Sequence, residues 1–238
     1  MQVFSQNNLE PKIVKSSNPK VGLIALSTDF TVEQDFRKIC KDLKVDIFVN
    51  KIPFENPLNN ENYLKMSNFL PEIANNILPG EKIDSIAYAC TSGTVAIGED
   101  IVTNQIRKTK PNVYVSTPIT ASIKSFSKMN IKKIAVLTPY PKDVNQTIFD
   151  FLSNNNIEIT SFSSFNLKYD NQIASIDPQY LLETLKKIDH KDAEAIFVSC
   201  TALRAVEILD QAEKIISKTI ISSNQALIWD TLRSVNIN

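Results

Sequence analysis

Short apolar runs alternate with longer amphipathic stretches along almost the whole chain. KVGLIALS (20–27), VDIFVNKI (45–52) and DSIAYAC (84–90) read as strands. The stretches that follow them, 31–43, 63–78 and 94–108, space their apolar residues as helices do. The second half repeats the alternation: KKIAVLTP (132–139) precedes 144–153, IEITSFSSF (157–165) precedes 178–188, and AEAIFVSC (193–200) precedes 202–214. Strands alternating with helices predict βαβ units on parallel sheets. Helix starts carry their own signals. Asp29 or Thr31 can cap the first helix, Glu33 and Asp35 favour the positive end of its dipole, and Asp177-Pro178 places proline at the first helical position.

The two halves correspond at three junctions, in the same order. Leu26-Ser27 matches Leu137-Thr138, Cys90-Thr91 matches Cys200-Thr201, and VYVSTPITA (113–121) matches IISSNQALI (220–228). Each is a strand that ends in small hydroxyl residues and runs toward a helix. Such junctions lie at the carboxyl ends of parallel strands, where doubly wound sheets place ligands. The expected fold is α/β, with two pseudo-symmetric lobes, each a short parallel sheet flanked by helices, and the active site between them. The expected division is an N-terminal extension over 1–19, one lobe from 20–118 plus 220–238, and a second lobe over 119–219.

Composition narrows the partners. A chain of 238 residues with 43% hydrophobic residues can bury a sizeable core. Its 26 basic and 26 acidic side chains cancel, without a basic cluster to neutralise phosphates, so nucleic acid is not an expected partner. No apolar run approaches the ~20 residues of a membrane helix, and the N-terminus has no apolar leader core, so the expectation is a cytoplasmic protein off the membrane. Three cysteines suit free thiols in a reducing compartment. Only four glycines are present, in neither a P-loop nor a dinucleotide fingerprint.

Candidate chemistry centres on Cys90 and Cys200. A cysteine in the first turn of a helix meets unpaired backbone N–H groups and the positive dipole end, which predicts a lowered thiol pKa. The neighbouring N–H groups, with hydroxyls from Thr91, Ser92 and Thr201, can receive a carboxylate or an enediolate-like oxyanion. A thiol from each lobe suits proton removal from one face of a carbon and delivery to the other, or thiolate addition to a double bond with protonation by the partner. A single cysteine at a strand end is more often inert packing; paired placement favours function.

YACTSGT (88–94) and SCTALRA (199–205), with TPYPKDVN (138–145) and SSNQALIWDTLR (222–233), resemble the aspartate/glutamate racemase superfamily over roughly 20–233. Within it the sequence is most similar to maleate cis-trans isomerases, arylmalonate decarboxylases and the racemase-like protein of ectoine utilisation. The resemblance implies two lobes, paired catalytic cysteines, a small carboxylate substrate, and neither metal nor organic cofactor; a homo-oligomer is also expected. It places catalysis on Cys90 and Cys200, a substrate carboxylate on Thr91 and Ser92, and a closing tyrosine at Tyr140. Asn145 completes the same motif, as a substrate ligand or a helix-capping amide. Ala202 offers a backbone N–H. Asn224 and Gln225 either touch substrate or order the cysteine loops, and Asn171 in YDNQIASID resembles a substrate-binding asparagine.

One departure bears on substrate. Where the isomerases carry an asparagine in a motif like SSNTT, this chain has STDFT, with Asp29 at that place. A carboxylate there repels a dicarboxylate and attracts an ammonium or amide N–H. Capping of its own helix is the other role open to Asp29. Retention of both cysteines speaks against decarboxylation. The leading expectation is a racemase or epimerase of a small amino-acid derivative in ectoine degradation. A maleate-type isomerase and a non-catalytic ligand-binding protein are the alternatives. Four further features carry less weight: His190 lies in a charged loop away from the carboxyl ends, Cys40 is expected in packing, Trp229 in the core or an interface, and 50–62 in a loop over the cleft mouth or a plain surface connection.

Overall fold

The computed structural model describes residues 10–188 and 190–238; the first half of the expected N-terminal extension lies outside them. Among the described residues, eight parallel strands form two sheets. β1 (Lys20–Leu26), β2 (Asp46–Ile52), β3 (Ser85–Ala89) and β4 (Tyr114–Ser116) run in the order β2-β1-β3-β4. β5 (Lys133–Thr138), β6 (Glu158–Ser164), β7 (Ala195–Val198) and β8 (Thr219–Ser222) run in the order β6-β5-β7-β8. The second order is the first with four added to each strand number, so the repeat seen in the sequence is a repeat of topology. β3 and β7, which carry the cysteines at their ends, are central and buried along their length, as near-continuous apolar runs in parallel sheets should be.

The helices are α1 (Val32–Ile39), α2 (Asn60–Lys65), α3 (Leu70–Asn75), α4 (Thr91–Ile97), α5 (Glu99–Arg107), α6 (Pro118–Lys128), α7 (Lys142–Asn154), α8 (Asp170–Ala174), α9 (Pro178–Lys187), α10 (Leu209–Ile216) and α11 (Ser223–Ser234). Three expected helices are interrupted. The stretch 63–78 breaks into α2, a 3-10 turn and α3, where Pro71 sits in the first turn, a position that needs no backbone donor. The stretch 94–108 starts earlier, at Thr91, and breaks at Gly98, whose φ of +95° is open to glycine and strained for other residues. After Cys200 no α-helix begins at 202: a turn and a 3-10 segment, Ala205–Glu207, come before α10.

The lobes do not divide at residue 220 as expected. β8 pairs with β7 from Ala195↔Thr219 to Val198↔Ser222, which keeps it in the second sheet. Only α11 returns, packing on α6, β3 and β4 of the first lobe. Asp230 fastens it there by accepting from Ser116 Oγ at 2.6 Å and from the Tyr114 hydroxyl at 3.0 Å, with Lys124 at 3.1 Å. One apolar cluster runs from Ile24 in β1 to Ala226 in α11, so the lobes share a core. Among the described residues no helix is long and apolar enough to cross a membrane.

Replacing Gly98 tests the break between α4 and α5. A Cβ there meets nothing nearer than Ile101 at 3.9 Å, so any cost is conformational. Gly98→Ala should lower unfolding free energy by about 1–3 kcal/mol in urea titration, and an unchanged midpoint would contradict that assignment.

Candidate functional site

Cys90 follows β3 and caps α4. Its extended backbone (φ −146°, ψ 110°) turns the side chain back over the helix start, where the sulfur accepts the Gly93 N–H at 3.2 Å. The Ser92 hydroxyl also reaches this sulfur. Gly93 is required here by close approach, since a Cβ would stand 2.6 Å from Cys90 Sγ and 2.7 Å from Met66 Cε. Cys200 follows β7 in a different setting. With no helix starting beyond it, its sulfur is held by the Ala202 N–H and the Tyr140 hydroxyl.

Both cysteine turns are tied to one atom. Ser223 Oγ accepts the Cys200 N–H at 3.0 Å and the Thr91 hydroxyl at 2.9 Å. Thr31 Oγ1 donates to the Ala202 carbonyl at 2.9 Å, and Thr201 Oγ1 to the Ala89 carbonyl at 3.5 Å. Asn224 Nδ2 bridges Asp35 Oδ2 at 2.7 Å and the Thr201 carbonyl at 2.8 Å. The lobes therefore meet through bonds among the residues that flank the thiols, and the thiols sense one another electrostatically.

A segment of the first lobe roofs this junction. The Leu58 N–H donates to the Lys168 carbonyl at 2.8 Å, and Asn56 Oδ1 accepts the Asp170 N–H at 3.3 Å. Behind these bonds Phe54 stacks on Tyr63 with centroids 5.1 Å apart. Tyr63 is buried and feels Cys90, Cys200 and Asp170, and its hydroxyl bonds Ser92. The stretch 50–62, open to either reading in sequence, thus bridges the lobes beside Asp170.

Enclosure reverses the expected thiol electrostatics. Burial pushes Cys200 up to about 12, the Asp170 carboxylate adding to it against Tyr140 and the Ala202 N–H. Cys90 is raised too, by burial first, against the Gly93 N–H, with Asp170 and Cys200 adding. The sulfurs, 3% and 5% exposed as residues, have lost the water that would solvate an anion, and a few N–H groups do not replace it. The lowered pKa expected from helix starts is therefore not found, and Cys200 has no helix start. Both thiols are protonated in the closed site.

Carboxyl groups lie among them. Asp29 Oδ1 accepts the Thr31 and Val32 N–H groups at 2.7 and 2.9 Å, so the residue caps α1; Thr201 also bonds it. Asp170, at the start of α8, accepts from Thr28 Oγ1 at 2.5 Å across the lobes. Burial raises Asp170 to about 6, against the Thr28 bond and with the Asp29 charge adding. Asp35 is likewise raised to about 6 by burial, against the Asn224 amide.

The other expected site residues divide. Ser92, Tyr140, Ala202 and Thr201 gather around the sulfurs, and Thr91 spends its hydroxyl on Ser223. Asn224 orders the cysteine loop. Asn145 bonds Thr138 Oγ1 at 2.5 Å and the Tyr140 carbonyl at 2.7 Å, which shapes the Tyr140 turn. Gln225 is not at the thiols: it is exposed and lines an outer groove with Trp229, because one step along α11 turns a side chain by 100°. Asn171 is exposed on the wall of a cavity of about 690 Å³ with Phe30, Gln34 and Arg204, while its neighbour Asp170 faces the thiols. His190 precedes β7, at the end remote from the cysteines, and Cys40 is packed in the first lobe. Sequence reading missed Asp170, Tyr63, Gly93 and Ser223. Gly93 carried a signal, as one of four glycines in the chain, directly in a cysteine turn, and Ser223 carried one as a strand-end hydroxyl of IISSNQALI.

The arylmalonate decarboxylase family model matches residues 78–238. A maleate isomerase of Alcaligenes faecalis is 20% identical over 168 residues, covering 67% of this chain and 66% of that one, so the match spans about two thirds of the relative. The maleate isomerase of Pseudomonas putida S16 solved with maleate has a TM-score of 0.85 at 19% identity, with 93% of each chain covered. A Nocardia farcinica maleate cis-trans isomerase mutant, solved with a covalently bound succinylcysteine intermediate, has a TM-score of 0.85 at 15% identity, covering 93% of this chain and 94% of that one.

Three outcomes follow from this geometry. Gly93→Ala should cost about 1–3 kcal/mol in urea unfolding, because Cys90 and Met66 must both yield to the new methyl. Iodoacetamide labelling of Cys90 and Cys200, followed by peptide mass spectrometry, should be far slower at about pH 7 than for a free cysteine peptide. It should rise roughly tenfold per pH unit toward pH 10, whereas a plateau near neutrality would mean stabilised thiolates. Asp170 has its folded pKa, about 6, above the ordinary 3.8, so its protonated form favours folding and stability falls as pH rises between those values. Asp170→Asn should therefore raise Tm at about pH 7.5, with the gain shrinking toward zero by about pH 4; a constant gain would show that charge burial is not its source.

Proposed function

Because the chain belongs to the arylmalonate decarboxylase family, we propose that it is a cofactor-independent isomerase working through the Cys90 and Cys200 thiols on a small carboxylic acid. The observation that carries this reading is the burial of two thiols, one from each lobe, in a single closed junction with hydroxyl and N–H donors around them. The reaction proposed first is racemisation or epimerisation of a small amino-acid derivative. One cysteine as thiolate takes the Cα proton and becomes a thiol. The electron pair left on carbon delocalises into the substrate carboxylate, which Ser92 and backbone N–H groups can receive. The opposite thiol then gives its proton to the other face of Cα and becomes the thiolate. Atoms and charge balance, and the two sulfurs exchange states at each turnover.

The raised thiol pKa fits such a base. A thiolate formed in a dry pocket is a stronger base than one in water, which narrows its gap to a weakly acidic C–H. Tyr140 supports the thiolate at Cys200, and Gly93 N–H and Ser92 at Cys90. A role in ectoine degradation is the specific setting that the sequence resemblance suggests.

A second reading is favoured by the relatives. The Alcaligenes faecalis relative is a maleate isomerase, and the Nocardia farcinica enzyme has been captured with a succinylcysteine. In that chemistry one thiolate adds to a carbon–carbon double bond, the opposite thiol protonates the adjacent carbon, rotation follows, and elimination restores the double bond.

Deuterium incorporation tests the choice. Candidate amino acids, beginning with 2,4-diaminobutyrate and its N-acetyl derivatives, incubated in D2O should gain deuterium at Cα, and Cys90→Ala and Cys200→Ala should each reduce racemisation by at least about a thousandfold. Full activity in either single variant defeats the two-thiol mechanism. Conversion of maleate to fumarate without Cα exchange of any amino acid selects the second reading.

A further inference from the structure

The thiols share their enclosure with two carboxyl groups brought from opposite lobes. Asp29 follows β1, and Asp170 opens α8. They are 7% and 5% exposed. Each acts electrostatically on Cys200, and Asp29 acts on Asp170, so the groups occupy one neighbourhood. Asp170 is built in rather than accidental: Thr28 Oγ1 holds one carboxylate oxygen and Asn56 Oδ1 holds the backbone N–H. Asp29 Oδ1 is fixed by two N–H groups of α1.

Among the described residues, no lysine or arginine forms an ion pair with either carboxylate. Lys51, whose charge Asp29 feels, directs its ammonium to the Asp29 backbone oxygen at 3.3 Å and toward Glu33 at 3.9 Å. Buried carboxylates are ordinarily paired, because the lost hydration must be replaced. The hydroxyl of Thr28 replaces part of it. Among the described residues no cation faces the Asp170 carboxylate.

We propose that Asp170, with Asp29, is the specificity determinant of the site and receives a cationic nitrogen of the substrate. The substrate class is then zwitterionic: a carboxylate facing the hydroxyl and N–H donors at the cysteine turns, and an ammonium group facing the carboxyls. A dicarboxylate would set its second anion against Asp170. The bound ammonium would also offset the negative field that these carboxylates exert on the thiols, so that substrate binding itself favours the thiolate the reaction needs. The inference rests on the thiol pair being the reaction centre.

The test compares a ligand with its analogue lacking only the ammonium, and with a dicarboxylate. Binding of 2-aminobutyrate, butyrate and maleate to the full chain is measured by calorimetry, with Asp170→Asn and Asp29→Asn alongside. Asn can keep the Thr28 bond in the first variant and the helix cap in the second, so both should fold. Wild type should bind 2-aminobutyrate at least roughly tenfold more tightly than butyrate or maleate, and Asp170→Asn should reduce that preference to threefold or less. Asp29→Asn should reduce it to a smaller extent. Equal or tighter binding of butyrate or maleate, no detectable binding of 2-aminobutyrate, or an unchanged preference in Asp170→Asn overturns the proposal. Loss of deuterium exchange in the cysteine variants together with an unchanged ligand preference sinks this inference alone. The preference with fully active cysteine variants sinks the two-thiol reading alone.

Discussion

Ser223 Oγ holds the two cysteine turns at once, accepting the backbone N–H of Cys200 and the hydroxyl of Thr91. One buried oxygen thereby fixes the relative position of chain segments separated by about 110 residues. β8 belongs to the second sheet, the helix after it packs on the first lobe, and Ser223 stands at the crossing. Thr31, Thr201 and Asn224 add bonds around the same point. Lobe separation would break bonds on the residues adjoining the thiols, so the geometry of the sulfurs and the integrity of the lobe contact are one property.

Closing that junction carries an electrostatic cost that the protein keeps. Asp170 and Asp35 are raised to about 6 by burial, and both cysteines are raised as well. A structure selected for stability alone would place neutral side chains there, and the retention of charge in a dry site is what functional pockets commonly show. The same dryness strengthens any thiolate formed within it as a base. Reluctance to ionise at rest and basicity when ionised are two expressions of one lost hydration shell.

The duplication is faithful in the sheets and broken at the sulfurs. Strand order repeats between the lobes, yet Cys90 caps a helix and Cys200 sits in a turn beside Tyr140. Gly93 makes room for one sulfur, and a phenol supports the other. The two thiols thus sit in chemically different surroundings.

The sequence by itself determined the parallel α/β lobes, the internal repeat and the position of Cys90 and Cys200 at the ends of matching strands. Hydrophobic periodicity and strand-end hydroxyls are local properties, written in consecutive residues. Helix continuity was less legible, because Gly98 and the 201–208 turn respond to packing around the site as well as to propensity. Among candidate residues, Ser92, Tyr140 and Asn224 lie where motif position implied, while Gln225 and Asn171 face outward by one residue of register. Whereas Ser223 stood in a strand-end hydroxyl junction already legible as a repeat, tertiary structure alone brought Asp170 and Tyr63 to the thiols. It also decided the direction of the thiol shifts, because desolvation depends on everything packed around an atom and not on the residues beside it in the chain.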